Sequence, residues 1–480
     1  MRQISLKKNY IANLIKTIML NVFPLISYPY ATRILGTDGI GKVNYTSSII
    51  GYFSLAASLG FSSYAIREGA RIRDNKIRLE IFSKEILVLN MLSTAVSYIC
   101  LFAFIHIPSF REYTLLLLVQ SISIFATTLG VEWLYTIYEN FVYTAIVSTL
   151  FQAASTVALF VFVKDSGDYL QYAVVLTLST TGYGILNFIY SFRYINWFKK
   201  TSLSLLRHIK AICILGGLTI ASNIYLSLDT VIIGFMLGDV QVGIYSTSVK
   251  INRIAGQIVA IFSTILFPRA TYFLGCGKQK EYKRLINATS NYILMLCIPM
   301  SIGLILVSEE AFVLLTGGGD FLNGIFSNQI LAINLIFSAI DRLFAYQILI
   351  PHNHDFIVLK ATMIGAILNL FTNCIFIPIG GINSAAVTTL AAEICVFLIL
   401  LKESSRLVKI IDLFKNTWEY FTACIPMVAI CFGIRLLHFP VIVSAILMVF
   451  FGCISYFVFL YVLKNEYFCN LIRILYNKVR

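Results

Sequence analysis

Apolar residues come in long runs along this chain, separated by short polar clusters. Fourteen runs stand out, near 10–31, 43–65, 85–107, 113–134, 142–163, 170–192, 211–235, 244–267, 291–314, 327–350, 358–378, 384–401, 418–437 and 441–463. Each is about 18–25 residues, the helical length that crosses roughly 30 Å of hydrocarbon. The pattern predicts an all-α polytopic membrane protein with about 14 transmembrane helices. Arg2, Lys7 and Lys8 precede the first run as in a signal peptide. That run is long, contains Pro24 and Pro29 and has no small-x-small cleavage site, so it reads as an uncleaved first helix. The prolines predict a bend in it.

The polar clusters alternate in charge. One set holds "IREGARIRDNKIR", "FKKTSLSLLRHIK", "GCGKQKEYKR", "KESSRLVKIIDLFK" and a basic tail from Lys464 to Arg480. The other set, including "LGDVQVG", "TGGGDFLNG" and "PIGGINS", is short and nearly free of Lys and Arg. Short basic loops stay in the cytoplasm, which places both termini there and makes the number of spans even.

Composition agrees. Of 480 residues, 58% are hydrophobic and 12% charged, and the mean hydropathy is +0.83. A soluble domain carries about 25% charged residues, so this chain cannot coat a water-facing surface of its size. The net charge of +14 is a topology signal and an attraction to anionic membrane lipids, not a nucleic-acid footprint. The ten cysteines are scattered without CxxC or metal-ligand spacing, and they read as small apolar residues. No metal or cofactor is expected. The 37 Phe and 27 Tyr are expected mostly at lipid-facing and interfacial positions.

Two stretches resemble each other. "ILGTDGIGKVNY" starts at Ile34 and "MLGDVQVGIYS" at Met236, matching Leu35, Gly36 and Gly41 with Leu237, Gly238 and Gly243. Each lies in a short non-cytoplasmic turn between the first two helices of a six-helix block. Six is even, so the blocks share one orientation, as parallel repeats about an axis along the membrane normal. The expected domains are a six-helix bundle over 1–200, a second over 201–405, and two extra helices with a cytoplasmic tail over 406–480.

The stretch "PLISYPYATRILGTDGIGKVNYTSSIIGYFSLAASLGFSSYAIREGARIRDN" resembles the N-terminal signature of the polysaccharide biosynthesis exporters. "LDTVIIGFMLGDVQVGIYSTSVKI" is similar to the signature that opens their second half. The resemblance implies a Wzx-type flippase for O-antigen or other repeat units, in the superfamily of multidrug, oligosaccharidyl-lipid and polysaccharide exporters. Such proteins move undecaprenyl-diphosphate-linked oligosaccharide across the bacterial inner membrane. Lipid-linked oligosaccharide and membrane lipids are then the partners, with a polysaccharide polymerase and a chain-length regulator as further ones.

That cargo has an anionic, polar head, so ionisable residues inside spans are the site candidates. Lys16, Asp229, Lys250, Arg253, Asp341, Arg342 and Glu393 fall within runs, and Glu132 lies near the end of one. Asp229 and Lys250 are symmetric about the turn near Asp239 and are expected at similar depth, where they would pair. Arg253, three residues on, shares the face of Lys250 and lacks an obvious partner. It is the leading diphosphate ligand, because guanidinium offers forked donors. Arg342 follows Asp341 directly, so the two diverge by about 100° around a helix, and Arg342 is a second candidate. Lys16 either enters the cavity or snorkels to the surface, and Arg33 either binds cargo or anchors its helix at the interface. Asp229, Asp341 and Glu393 are candidates for ion coupling or for structural pairing.

No HExxH, P-loop, GxSxG or soluble domain is present, so an enzyme is not expected. An integral-membrane repeat-unit polymerase is the rival from that class, but such polymerases usually carry one large outer loop. A cation-coupled drug exporter would favour acidic cavity residues. A lipid II flippase is close in fold and in cargo.

Overall fold

A computed structural model describes residues 6–479, with side chains outside 6–15, 17–18, 20–22, 214–215, 217–226, 261–262, 264–265 and 474–479. Arg2 and Arg480, and the side chains of Lys7 and Lys8, lie outside these. The described chain is helical throughout, without a strand, as the apolar runs require. Ten helical segments among the described residues are long and apolar enough to cross a membrane. By compactness the chain forms two units, Met1–Gly243 and Ile244–Arg480.

The first unit opens with α1 (Leu6–Ser58), 53 residues long and helical except at Gly36. A straight helix of that length would be about 80 Å, far beyond a bilayer. Gly36, at φ 66° and ψ −170°, divides it into two segments of spanning length in a conformation that only glycine adopts readily. No such break occurs at Pro24 or Pro29, where the backbone stays helical. There follow α2 (Phe61–Arg71), α3 (Lys76–Ile105), α4 (Thr114–Leu129), α5 (Glu132–Ile137), α6 (Phe141–Phe162), α7 (Tyr169–Thr181), α8 (Tyr183–Ser191) and α9 (Leu206–Leu237). The run expected at 113–134 lies within one candidate span, Pro108–Ile137, in which Val131 turns left-handed at φ 36° between α4 and α5.

The repeated glycines meet in this unit. A Cβ on Gly41 would lie 1.8 Å from the Asp239 carbonyl oxygen, and one on Gly243 would lie 2.0 Å from that of Thr37. Thr37 and Asp239 each follow a matched glycine, Gly36 and Gly238, and both of those glycines have positive φ, 66° and 84°. Each turn therefore seats its carbonyl where the other's motif glycine has no side chain. Around the contact, the Tyr113 hydroxyl donates to Asp239 Oδ2 at 2.8 Å, and Lys42 pairs with Asp38 at 3.1 Å and with Glu112 at 3.4 Å. Burial pushes the Asp239 carboxyl above its usual range, against the opposing effect of the Tyr113 hydrogen bond.

The boundary between the units falls within α10 (Asp239–Gly275). The second unit continues with α11 (Gln279–Leu306), α12 (Ser308–Thr316), α13 (Ile325–Leu343), a π-helical turn at Phe344–Leu349, α14 (Asp355–Ser404), α15 (Ile410–Phe414), α16 (Thr417–Leu436), α17 (Val441–Val462) and α18 (Glu466–Val479). Like α1, the 50-residue α14 is divided by a single left-handed glycine, Gly381 at φ 63°. The run expected to start at 291 begins at Gln279 instead, and the expected tail from Lys464 folds as α18.

A part of the tyrosines lies inside. Among the described residues ten are buried, including Tyr135, Tyr282, Tyr420 and Tyr456. Their hydroxyls reach across helices to acceptors: Tyr282 donates to Gln347 O, Tyr456 to Met295 O, Tyr420 to Asn291 Oδ1 and Tyr135 to Asn187 O. Where packed helices lack water, such bonds satisfy the hydroxyl while the ring fills the core. Exposed positions carry many aliphatic residues and Phe, such as Val96, Ile99, Phe102, Ile446 and Phe450, with Tyr272, Tyr346 and Tyr461 among them, as a lipid-facing surface allows.

Candidate functional site

In the second unit α10 and α13 run side by side and parallel. Ser248 donates to Gly324 O, Asn252 bonds the Asn328 side chain at 2.8 Å, and Gln347 donates to Ser263 O. Lys250 and Arg253 lie three residues apart on α10, close enough for each charge to act on the other. Arg253 has no hydrogen bond or ion pair among the described residues, and its side chain is exposed. Arg342, on α13, is also exposed, while the preceding Asp341 is buried. This is the divergence expected of consecutive helical residues. From the α10–α13 register, Arg342 sits level with about residue 260, roughly 10 Å along the axis from Arg253. The two guanidiniums thus occupy different depths.

Asp341 is the most conspicuous acid. It is 7% exposed, and among the described residues neither carboxylate oxygen has a hydrogen-bond partner. A second acid, Glu393, acts on it and is itself buried. An ionised carboxylate left so costs several kcal/mol, so Asp341 calls for a proton or a cation. Close by in sequence, the two segments of α14 are joined by amides and hydroxyls: Asn373 donates to Asn369 Oδ1 at 3.0 Å, Thr388 donates to Asn373 Oδ1, and Asn369 donates to Thr389 at 3.3 Å.

The first unit's candidates are more settled. Lys16 pairs with Glu132 at 3.4 Å and stands 5.8 Å over the Tyr183 ring, so its charge is met inside the protein. Arg33 is exposed three residues before Gly36, and Asp229, on α9, lies close enough to Tyr52 to act on its hydroxyl.

One cluster escaped sequence reasoning. Glu85 on α3 is 1% exposed and accepts from the Ser204 backbone N–H at 2.7 Å, from Arg207 Nη2, and from His208 Nε2 at 2.9 Å. A carboxylate only accepts, so Nε2 carries its proton toward Glu85. Nδ1 is then left to accept from the Tyr64 hydroxyl at 2.7 Å. Lys84 donates to Lys199 O at 2.6 Å. Two adjacent charges at the head of an apolar run were the available signal, but their partners lie more than a hundred residues away.

The model of a family described as "Polysaccharide biosynthesis protein" matches residues 6–273, more than half of the chain. The chain belongs to that family. Within the polysaccharide biosynthesis family it is similar to a putative O-antigen transporter of Shigella dysenteriae, 23% identical over 79% of this chain and 95% of that one. It also resembles the putative O-antigen transporter of Escherichia coli strain K12, at 21% over 83% and 96%. A probable low-salt glycan biosynthesis flippase, Agl15 of Haloferax volcanii, matches at 26% over 36% of each chain. Among solved structures, the lipid II flippase MurJ in an inward closed conformation aligns with a TM-score of 0.77 at 16% identity, covering 96% of this chain and 100% of that one. A multidrug resistance MATE family transporter, inward-facing, aligns at 0.62 and 13%, covering 82% and 98%. At those identities the likeness establishes the fold.

The family match includes Lys16, Arg33, Asp229, Lys250 and Arg253, together with both glycine motifs. Arg342, Asp341 and Glu393 lie beyond it.

Proposed function

We propose that this member of the polysaccharide biosynthesis family is a flippase, not an enzyme. It would carry undecaprenyl-diphosphate-linked oligosaccharide across the cytoplasmic membrane for O-antigen, capsule or another surface polymer. The observation that carries the reading is the similarity to O-antigen transporters over nearly their whole length, on an exporter fold. The chemistry supports it. Arg253 is a cation without an acidic partner among the described residues, and a diphosphate supplies an anion for it. Lys250 adds charge beside it, and Arg342, about 10 Å away along the axis, suits a second position of the moving head. Arg33 and Lys16 are lesser candidates, Lys16 because Glu132 already engages it.

Two parallel six-helix repeats over 1–200 and 201–405, with helices over 406–480 added, would alternate access by rocking. The reciprocal seating of Gly41 and Gly243 supports the repeat. Both termini are cytoplasmic in this reading. Asp341 and Glu393 couple transport to a proton or cation, with Asp229 as a further acid, and a polymerase and a chain-length regulator act on the delivered units. The lipid II flippase alternative rests on fold likeness alone.

The test is surface polymer in cells lacking the native protein, normalised to membrane-inserted level. Arg253→Ala should lower it by about 10–100-fold, the value of one charged contact, and Arg253→Lys should retain part, since an ammonium keeps the attraction but loses the fork. Unchanged polymer in the deletion strain itself would overturn the flippase reading. Wild-type polymer from Arg253→Ala would remove only Arg253.

A further inference from the structure

The first unit holds a cleft of about 670 Å³ between the end of α2, the start of α3 and the segment that leads into α9. Its volume is that of a small-molecule site. It lies among the basic clusters "IREGARIRDNKIR" and "FKKTSLSLLRHIK", at the end of the unit that the positive-inside rule places at the inner leaflet.

Two acids and two arginines line it, and Arg67 and Arg71 beside Glu68 tip the balance to positive. Glu68 is drawn to Arg67 at 3.0 Å and Arg71 at 3.3 Å, and Glu85 is already met by Arg207, His208 and the Ser204 N–H. Both acids are therefore neutralised from within the protein. Arg78, which lines the cleft, has no side-chain partner among the described residues: its one hydrogen bond is a backbone N–H to Asn75. Arg207 uses Nη2 on Glu85, which leaves both donors of Nη1. Its side chain is 54% exposed, so those donors are reachable. Ser202 and Ser204 add hydroxyls, and Ile72, Ile81 and Phe82 add apolar surface to the same cleft.

We propose that this cleft binds the phosphate headgroup of an anionic amphiphile from the inner leaflet. Arg78 and Arg207 Nη1 hold the phosphate, the serine hydroxyls hold the polar head, and the apolar wall receives the first carbons of the tail. The buried Tyr64–His208–Glu85 chain is the positioning element. It fixes Arg207, and with it the segment between α8 and α9, so an occupied cleft braces that segment against α3. The inference stands apart from the export reading, because it concerns a site away from Arg253 and is measured by binding.

The experiment uses the purified full-length protein in a neutral detergent. Its thermal midpoint is titrated with dihexanoyl phosphatidylglycerol, dihexanoyl phosphatidylcholine or inorganic phosphate, and lipid adducts are counted by native mass spectrometry. Phosphatidylglycerol should raise the midpoint saturably with one retained adduct, and Arg78→Gln should weaken it roughly tenfold, the lower value of one charged hydrogen bond. The midpoint without lipid should be unchanged in Arg78→Gln, since Arg78 has no partner to lose. An equal response to phosphatidylcholine, or an undiminished phosphatidylglycerol response in Arg78→Gln, would overturn the site. Inorganic phosphate binding as tightly as phosphatidylglycerol would overturn the amphiphile and leave a soluble anion. None of these results bears on surface polymer.

Discussion

Two buried carboxylates in this protein show how environment, not residue type, sets a side chain's role. Glu85 accepts hydrogen bonds from three groups, whereas Asp341 has no hydrogen-bond partner on either oxygen among the described residues. The amide substitution should therefore act oppositely at the two. Glu85→Gln replaces an acceptor pair with a mixed amide and turns an NH₂ against donors, so stability should fall by about 1–3 kcal/mol. Asp341→Asn takes away the need for a proton or cation at a carboxylate with no hydrogen-bond partner among the described residues, so the thermal midpoint should stay level or rise, while any dependence of transport on a proton or cation gradient should weaken. Midpoints measured side by side in one detergent decide it, and a large drop for Asp341→Asn would show a partner for that carboxylate. Sequence reasoning found Asp341 because an acid inside an apolar run is conspicuous. It passed over Glu85 because an acid at the head of a run looks like an ordinary interfacial charge.

At the level of elements, the two glycine turns of the first unit are held by the absence of side chains. Thr37 and Asp239 carbonyls fill the places where Gly41 and Gly243 would carry Cβ atoms. Adding a methyl at either glycine forces backbone atoms apart, an overpacking cost of about 1–3 kcal/mol. Gly41→Ala and Gly243→Ala should each separate the turns. Because both act on one contact, the double variant should add little to either single one. Spin labels at Asp38 and Val240, both exposed, read the separation directly. Distances unchanged in all three variants would show that the turns do not depend on this contact. The motif spacing LG-x4-G was legible beforehand, but its reason was not. A glycine chosen for a turn and one chosen for a neighbour's carbonyl look alike in sequence. Gly36 and Gly238, with positive φ, are the first kind; Gly41 and Gly243 are the second.

For the whole molecule, charge distribution predicts orientation. Reporter fusions after Arg78 and after Gly238 should report opposite sides of the membrane, with the Arg78 fusion cytoplasmic, because the basic clusters resist translocation. Finding both on one side would end the parallel-repeat proposal. The same orientation puts the Arg78–Arg207 cleft at the inner leaflet and the glycine contact at the outer face.

The sequence by itself determined that this is an all-helical membrane protein with short connections, because run length and hydropathy are local properties that a bilayer reads one segment at a time. It determined the candidate ionisable residues for the same reason: a charge is out of place in an apolar run whatever surrounds it. Only the tertiary structure decided which of those charges are met. Lys16 finds Glu132, Glu85 finds Arg207 and His208, and Arg253 and Arg342 find no partner among the described residues. Partners separated by more than a hundred positions are brought together by helix packing, and helix packing depends on shape at every contact, which no local pattern encodes. The inward turn of tyrosine has the same origin, since a ring that suits the interface equally suits a core in which its hydroxyl reaches a carbonyl on the next helix.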